Sequence, residues 1–206
     1  MRSKVPLAAG QRDAAMKTAK KMFREQSVCP WWLAWTFDNP LRRFVQDPAK
    51  IVGPHVREGM TVADIGCGMG YFSIAMAKMA GELGTVIAVD LQQQMLDLML
   101  RRARRAGAGP QIRSVLAAED DIGIGEPVDF VLLFWMVHEV KNIPRFFGQV
   151  FSLLNPGGSA LYAEPRFHVS RMRFEEILDL ARAAGFHVTS DGPVAFSRAA
   201  LLSKKG

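Results

Sequence analysis

The chain has 206 residues, 49% of them hydrophobic, and a formal net charge of +6. This length and composition fit one domain with a modest appendage and exclude a small disulfide-held fold, because the two cysteines, Cys29 and Cys67, are too few and stand in no metal-ligand spacing. We therefore expect a cytoplasmic protein without a metal, and no signal peptide or uncharged apolar run of roughly 18 residues predicts export or a membrane span.

Residues 1–49 precede the first regular unit and are predicted to form a segment of their own. An amphipathic helical stripe leads into "CPWWLAWTFDNPLRRF", which concentrates three tryptophans, Trp31, Trp32 and Trp35. Such a density of aromatic rings either closes over a ligand or packs statically on a sheet. We predict a helical, aromatic lid for residues 1–49 over a second domain of residues 50–206, and static packing is the open alternative.

From residue 61 onward, short apolar runs alternate with amphipathic stretches. The runs predict strands at 61–66, 85–90, 112–118, 128–135, 159–164, 186–190 and 198–205. The stretches between them predict helices at 71–80, 91–106, 143–154 and 171–185, the third of which runs into an "NPGG" breaker. This alternation is typical of an α/β fold with a doubly wound, mostly parallel sheet. No helix separates the last two strands, so one of them should run antiparallel.

The positive charge is concentrated at residues 16–25 and in "RRARR", residues 101–105. Cations in the last turn of a helix complement its dipole, so the group at residues 101–105 can be explained without invoking a binding partner. No helix-turn-helix, RNP-type or zinc-finger pattern accompanies the charge, so we do not expect a nucleic-acid partner.

The stretch "VADIGCGMG", residues 62–70, places Gly66, Gly68 and Gly70 after the first strand. A glycine-rich turn at this point is where a doubly wound fold binds its ligand. The bulky Tyr71 occupies the place of the third glycine of a dinucleotide fingerprint, which argues against NAD. No Gly-Lys-Ser/Thr follows, so the turn is not a P-loop.

Two carboxylates flank this turn. Asp64 would repel a pyrophosphate but suits an ammonium group. Asp90 ends the second strand, where an acid accepts hydrogen bonds from ribose hydroxyls, and we expect its side chain at the surface. The predicted ligand is a nucleoside that carries an ammonium group and no phosphate, and S-adenosylmethionine has that combination.

The motifs "VADIGCGMG", "VIAVD" and "LNPGG" resemble those of class I S-adenosylmethionine-dependent methyltransferases, particularly the subset of ubiquinone and menaquinone biosynthesis. The resemblance covers roughly residues 50 to 205. It implies a Rossmann-like sheet of seven strands with an antiparallel last strand. It also implies S-adenosylmethionine as cosubstrate, with contacts from Asp64, Gly66, Cys67, Gly68, Asp90, Leu91, Ala118, Glu119 and Phe134. The family often has an Asp where Ala118 stands, so whether Glu119 or Asp120 contacts adenine is open.

Candidate catalytic residues follow the fourth and fifth strands. His138 in "FWMVHEV" is the predicted general base, needed only if the methyl acceptor arrives protonated, and Glu139 is the second choice. The alternative for His138 is to line the cofactor pocket. Glu164 ends the fifth strand and His168 follows, so we expect both at the active edge, as substrate contacts or as solvated loop residues.

Only "PRFHVS" separates the fifth strand from the next helix, and no recognition domain is inserted there. We therefore predict methyl transfer to a small-molecule or lipid-like acceptor. A non-catalytic S-adenosylmethionine- or S-adenosylhomocysteine-binding protein is one alternative. A nucleic-acid methyltransferase that uses the basic surface is another, although no Asn/Asp-Pro-Pro-Tyr/Phe motif follows the fourth strand. The sequence indicates neither the acceptor atom nor the oligomeric state.

Overall fold

The structure, a computed structural model, describes residues 46–190 and 192–206. The lid predicted for residues 1–49, with Trp31, Trp32 and Trp35, falls almost entirely outside the described residues. It therefore stays a prediction, as does the domain boundary after residue 49. Among the described residues, no helix is long and apolar enough to cross a membrane.

The described chain alternates strands and helices from residue 61 onward, as predicted. Its strands are β1 Thr61–Ile65, β2 Thr85–Asp90, β3 Ile112–Leu116, β4 Val128–Phe134, β5 Leu154–Pro165, β6 His187–Ser190 and β7 Ser197–Ser203. Its α-helices are α1 Pro48–Ile51, α2 Tyr71–Ala80, α3 Gln93–Arg105, α4 Ile143–Leu153 and α5 Arg171–Ala183. The sequence did not predict α1 or the 3-10 turn at Val137–Glu139.

All seven strands form one sheet in the order β3-β2-β1-β4-β5-β7-β6. The pairs from β3 through β5 are parallel, whereas β7 pairs antiparallel with both β5 and β6. The predicted seven-stranded, mostly parallel sheet with an antiparallel last strand is confirmed. The strand order reverses between β1 and β4, and doubly wound folds bind ligands beyond the carboxyl ends of the strands at such a point.

Alternating side chains of each central strand feed two apolar layers. On β4, Phe130 and Leu132 pack in the layer with α2 and α3, while Val131 and Leu133 pack in the layer with α4 and α5. This alternation follows from the period of two residues along a strand. Both faces of the sheet are therefore covered, and its carboxyl edge is the place left for a site.

The "NPGG" stretch differs from its prediction as a breaker between helix and strand. Strand β5 begins at Leu154, directly after α4, and runs through all four residues. Val128 pairs with Leu154 and Phe130 with Ser159, so β5 bulges between these pairs, and Gly157 takes a φ of 80° there. The bulge explains how a Pro and a Gly pair are accommodated inside a central strand.

Candidate active site

The three glycines of the β1–α2 turn have different tasks. All have positive φ values, 75° at Gly66, 52° at Gly68 and 78° at Gly70, which favour glycine. A Cβ on Gly66 would lie 2.9 Å from Cβ of Met136, and one on Gly70 would lie 2.4 Å from Cγ of Met99. A Cβ on Gly68 would meet nothing within 4 Å. Two glycines thus permit close packing, and the middle one presents bare backbone to open space.

Asp90 holds this turn from the end of β2. Its Oδ2 accepts a hydrogen bond of 2.9 Å from N–H of Gly68, and its Oδ1 accepts one of 2.9 Å from N–H of Gln92. The side chain is only 9% exposed, so the expectation of a surface residue was wrong, because the turn folds over it. Burial raises the pKa of Asp90, although the backbone hydrogen bonds oppose the rise. An ionised carboxylate offers about four acceptor positions, more than its three backbone donors Gln92, Gly68 and Leu91 use.

Asp64 lies on the other side of the turn and is buried. Its Oδ2 accepts a hydrogen bond of 2.5 Å from Oγ of Ser73 in the first turns of α2. Cys67 lies between the two carboxylates, and its pKa is raised well above the ordinary value by burial and by the charges of Asp64 and Asp90. This electrostatic environment favours a cationic or neutral ligand over a phosphate.

The end of β3 borders the same site. The carbonyl of Asp90 accepts a hydrogen bond of 3.0 Å from N–H of Ala117, which places Ala118 next to β2, and Leu91 is 43% exposed beside it. Glu119 points to the surface, where its Oε1 lies 2.5 Å from Nζ of Lys141. Its predicted contact with adenine stays a prediction.

His138 and Glu164 form a close polar pair at this edge. Nδ1 of His138 lies 2.6 Å from Oε2 of Glu164, and the backbone N–H of His138 donates to Oε1 at 2.9 Å. Glu164 is completely buried, whereas 16% of the His138 side chain is exposed. An ionised carboxylate only accepts hydrogen bonds, so in the neutral imidazole the proton belongs on Nδ1 and the free lone pair on Nε2.

Charged neighbours set the protonation of His138. Burial lowers the pKa of His138, but the hydrogen bond and charge of Glu164, together with the charge of Glu139, raise it above the ordinary value overall. Oε1 of Glu139 lies 3.9 Å from Nε2 of His138. The exposed ring of His168 stands edge-on to that of His138, with 4.7 Å between the ring centroids. The buried carboxylate thus fixes the orientation of the imidazole ring and favours its protonated form.

Aromatic rings line the site between the glycine turn and this pair. Phe134, buried at the end of β4, lies 4.6 Å from Phe72 and 5.3 Å from Trp135 between ring centroids. Trp135 in turn meets Phe167 edge-on at 5.6 Å. Phe167 is 72% exposed, so an apolar surface faces solvent at the carboxyl edge of the sheet.

The structure thus brings most of the predicted site residues to one edge. Strand-end reasoning predicted His138 and Glu164 there but not their pairing, which depends on the 3-10 turn. It also missed Ser73 as the partner of Asp64 and Trp135 as part of the apolar surface; the stretch of aromatic residues at the end of β4 was the available signal. Within residues 46–190 and 192–206, no group of three or more His, Cys, Asp or Glu side chains could hold a metal ion.

Comparisons with known proteins agree with this architecture. Residues 62–158 match the family described as "Methyltransferase domain". A ubiquinone biosynthesis O-methyltransferase of Rhizobium rhizogenes is 32% identical over 129 residues, which are 63% of this chain and 49% of that protein. A demethylmenaquinone methyltransferase of Symbiobacterium thermophilum is 29% identical over 118 residues, 57% of this chain and 47% of that protein. The chain therefore spans about half the length of the curated relatives it matches.

Solved structures share the fold. The crystal structure of a SAM-dependent methyltransferase from Aquifex aeolicus has a TM-score of 0.73 and 22% identity, covering 84% of this chain and 97% of the other. A putative O-methyltransferase from Nostoc punctiforme has a TM-score of 0.70 and 18% identity, covering 91% of this chain and 66% of the other. At these identities the likeness concerns the fold.

Proposed function

We propose that this chain, whose residues 62–158 match the family described as "Methyltransferase domain", transfers a methyl group from S-adenosylmethionine to a small molecule. The observation that carries the proposal is the His138–Glu164 pair beside the glycine turn. Met136, two residues before His138, packs directly on Gly66. A proton acceptor therefore stands next to the turn at which this fold binds its ligand.

The residues around the turn fit the cosubstrate. When bound, S-adenosylmethionine supplies a methyl group on a positively charged sulfur, which becomes neutral as the group leaves. Asp90 would accept hydrogen bonds from the ribose hydroxyls with the acceptor positions that its backbone donors leave free. Asp64 would attract the ammonium group, directly or through water. Gly68 offers open backbone, and the absence of a side chain there lets a ligand approach closely.

The pair His138–Glu164 supports an acceptor that arrives protonated. Nε2 of His138 would take the proton from the attacking group, and Glu164 would stabilise the resulting imidazolium through Nδ1. Glu139, 3.9 Å from Nε2, adds to that stabilisation and is the second candidate for the base. A hydroxyl is the first candidate for the acceptor, as in the O-methyltransferase among the relatives.

The apolar surface supports a small or lipid-like acceptor. Trp135 and Phe167 meet at the edge of the sheet, and His168 follows Phe167 immediately and contacts the ring of His138. An acceptor that lies on these rings would bring its nucleophile toward Nε2. The quinone-related names of two relatives agree with such an acceptor. A cytoplasmic location, expected from the cysteine content, is part of the proposal.

The basic cluster gives little support to a nucleic-acid substrate. Helix α3 begins beside Asp90 and ends with Arg102, Arg104 and Arg105 in its last turn. Because the helix runs back along the sheet for roughly 1.5 Å per residue, this cluster lies toward the edge opposite the site. A protein that binds the cosubstrate without turnover is the other competing function, and it would need no oriented base.

Labelled methyl transfer tests the proposal. The full chain is incubated with S-adenosylmethionine that carries a labelled methyl group, and separately with phenolic small molecules, with a metabolite extract and with total RNA or DNA. We expect label in a small-molecule product that is lost in the His138→Gln variant. Label in nucleic acid would overturn the proposed acceptor class. Tight S-adenosylhomocysteine binding without transfer to any acceptor would favour the binding protein.

A further inference from the structure

Two aromatic residues have backbone conformations that side chains with a Cβ rarely adopt. In the described part of the chain, Trp135 with a φ of 60° and Phe196 with a φ of 59° are the non-glycine residues with positive φ. Trp135 directly follows β4, and Phe196 directly precedes β7. Such strain persists only where the surroundings hold it, and it is concentrated at functional sites.

Hydrogen bonds hold Trp135 at both its backbone and its side chain. Its N–H donates to the carbonyl of Ala163 in β5 at 2.8 Å, and its indole Nε1–H donates to Oγ of Ser197 in β7 at 2.8 Å. Ser197 is only 1% exposed, and its carbonyl accepts a hydrogen bond of 2.7 Å from Nε of Arg166. Trp135 is therefore hydrogen-bonded to a buried acceptor, Ser197 in β7, which is two strands away from β4 in the sheet.

This tie crosses the end of β5 at the position of Glu164. Ala163 receives the backbone bond of Trp135, and Pro165 pairs with Ser197 in the sheet. Glu164 lies between these two residues, and its carboxylate binds both N–H and Nδ1 of His138. Trp135 and His138 are three positions apart in the chain. Both are thus positioned by the same three residues of β5, residues 163–165.

The positive φ of Trp135 determines the direction in which the chain runs from β4 to His138. Trp135 is followed by Met136, which packs on Gly66, and by the 3-10 turn Val137–Glu139 that carries His138. With an ordinary negative φ at Trp135, the chain would leave β4 in another direction. His138 would then not reach both oxygens of Glu164.

We propose that Trp135 is a positioning residue for His138, and that its indole hydrogen bond to Ser197 fixes the backbone that places His138 on Glu164. This inference rests on the proposed function, because it explains how the proposed base is oriented. It goes beyond a role of Trp135 in the apolar surface. As part of the apolar surface, Trp135 would need only its aromatic ring, whereas as a positioning residue it also needs the indole N–H.

Among the residues that the structure describes, three titratable groups face His138, and each comes from a different segment. Glu164 lies on β5, Glu139 lies on the same 3-10 turn, and His168 lies on the loop after β5. Of these, Glu164 contacts His138 most closely. Movement of His138 away from Glu164 would therefore be reported by the pKa of His138, which loses the hydrogen bond and charge that raise it.

Titration of the histidine side chains by NMR tests the proposal in the full chain without substrate. The variants are Trp135→Phe, which keeps an aromatic ring but removes the N–H, Ser197→Ala, which removes the acceptor, and the double variant. The His138 resonance is assigned from the spectrum of His138→Gln. His55 and His187, which lie away from the pair, serve as internal controls in each sample.

We expect the pKa of His138 to fall in both single variants, toward or below the ordinary value of about 6.5. The double variant should match either single one, because both changes break the same bond. An unchanged His138 pKa in either folded single variant would overturn the proposal, as would two decreases that add. Ser197→Ala is the milder change, and its amide spectrum establishes that the fold is kept.

The outcome separates this inference from the proposed function. If no acceptor is methylated but the pKa of His138 falls in the variants, the positioning role stands and the proposed reaction fails. If methyl transfer is found and the pKa does not change, the reaction stands and the positioning role fails. If the proposed reaction and the positioning role are both correct, kcat falls in Trp135→Phe while the affinity for S-adenosylhomocysteine is kept.

Discussion

Asp90 holds the glycine turn through Gly68, whose backbone N–H donates a hydrogen bond of 2.9 Å to Oδ2 of the carboxylate. The residue expected to bind ribose therefore also shapes the loop that would receive the rest of the ligand. A second bond, from N–H of Gln92 to Oδ1, starts α3 at the same carboxylate. One buried side chain thus joins the ends of β1 and β2 at the candidate site.

Replacing this carboxylate should weaken ligand binding. Asp90→Asn removes the charge and one acceptor oxygen. We therefore expect S-adenosylhomocysteine to bind less favourably by about 2–4 kcal/mol, because charge-assisted hydrogen bonds are lost. Calorimetric titration measures it. Asp97→Asn is the control, because Asp97 carries the same charge on an exposed face of α3, where it binds Gln93. Equal affinity in the Asp90 and Asp97 variants would remove Asp90 from the site.

The glycine turn allows a matched comparison. Gly68 and Gly107 both have positive φ, and a Cβ on either would meet nothing within 4 Å. Gly68→Ala and Gly107→Ala should each lower the free energy of unfolding by about 1–2 kcal/mol. Only Gly68→Ala should also lower the affinity for S-adenosylhomocysteine, because Gly107 lies at the far end of α3. Urea unfolding and calorimetry measure the two effects, and an equal loss of affinity would contradict the role of Gly68.

The sequence predicts this fold well because the central strands are continuous apolar runs. All of β2 after Thr85 and all of β4 except Asp129 are buried, and glycines mark the ends of several units. The "NPGG" stretch shows the limit. Composition alone indicates a break there, but the pairs of Leu154 and Ser159 with β4 flank the stretch, and Gly157 and Gly158 share backbone hydrogen bonds with Lys204 after β7.

The candidate site was predictable as a set of positions but not as a set of contacts. Parallel strands bring their carboxyl ends to one edge, so Asp64, Asp90, His138 and Glu164 were expected together. The 2.6 Å contact of His138 with Glu164 depends on the direction of the chain after β4. That direction is set by the positive φ of Trp135, a conformation that no residue preference of tryptophan indicates.

The proposed base should give the reaction a defined pH dependence. Only neutral His138 can accept a proton, so the rate should rise with pH through an inflection above about 6.5, because the pKa of His138 is raised. His138→Gln should lose that inflection and about 10²–10⁴-fold in kcat. Glu164→Gln should move it to lower pH. Glu139→Gln should move it in the same direction but less, because the charge of Glu139 raises this pKa less than Glu164 does. A rate independent of pH in the native protein would leave His138 without this role.

The raised pKa of His138 should also make the free energy of unfolding depend on pH. The protonated His138 is stabilised in the folded state, so its contribution is fully present below about pH 6.5 and is lost as the pH rises through the folded pKa. The difference in unfolding free energy between the native protein and His138→Gln should therefore shrink from pH 6 toward pH 8. Urea unfolding at a series of pH values measures it. A difference that grows with pH would mean that His138 is neutral in the fold.

The two tyrosines of the chain should respond in opposite ways to removal of their hydroxyl groups. Tyr162 is fully buried, its ring stacks on Phe174 at 5.0 Å, and its hydroxyl has no hydrogen-bond partner in the part of the chain that the structure describes. Tyr162→Phe should therefore be neutral or raise the free energy of unfolding by up to about 1 kcal/mol, because a buried unpaired hydroxyl is costly.

Tyr71 provides the matched control, since its hydroxyl donates a hydrogen bond of 2.8 Å to the carbonyl of Gln46. Tyr71→Phe should lower the free energy of unfolding by about 0.5–1.5 kcal/mol. Urea unfolding with equal m-values in both variants gives the comparison. If Tyr162→Phe costs more than Tyr71→Phe, the hydroxyl of Tyr162 has a buried partner in solution. Burial raises the pKa of Tyr162, and the charge of Glu164 adds to the rise, so Glu164 would be the first residue to examine.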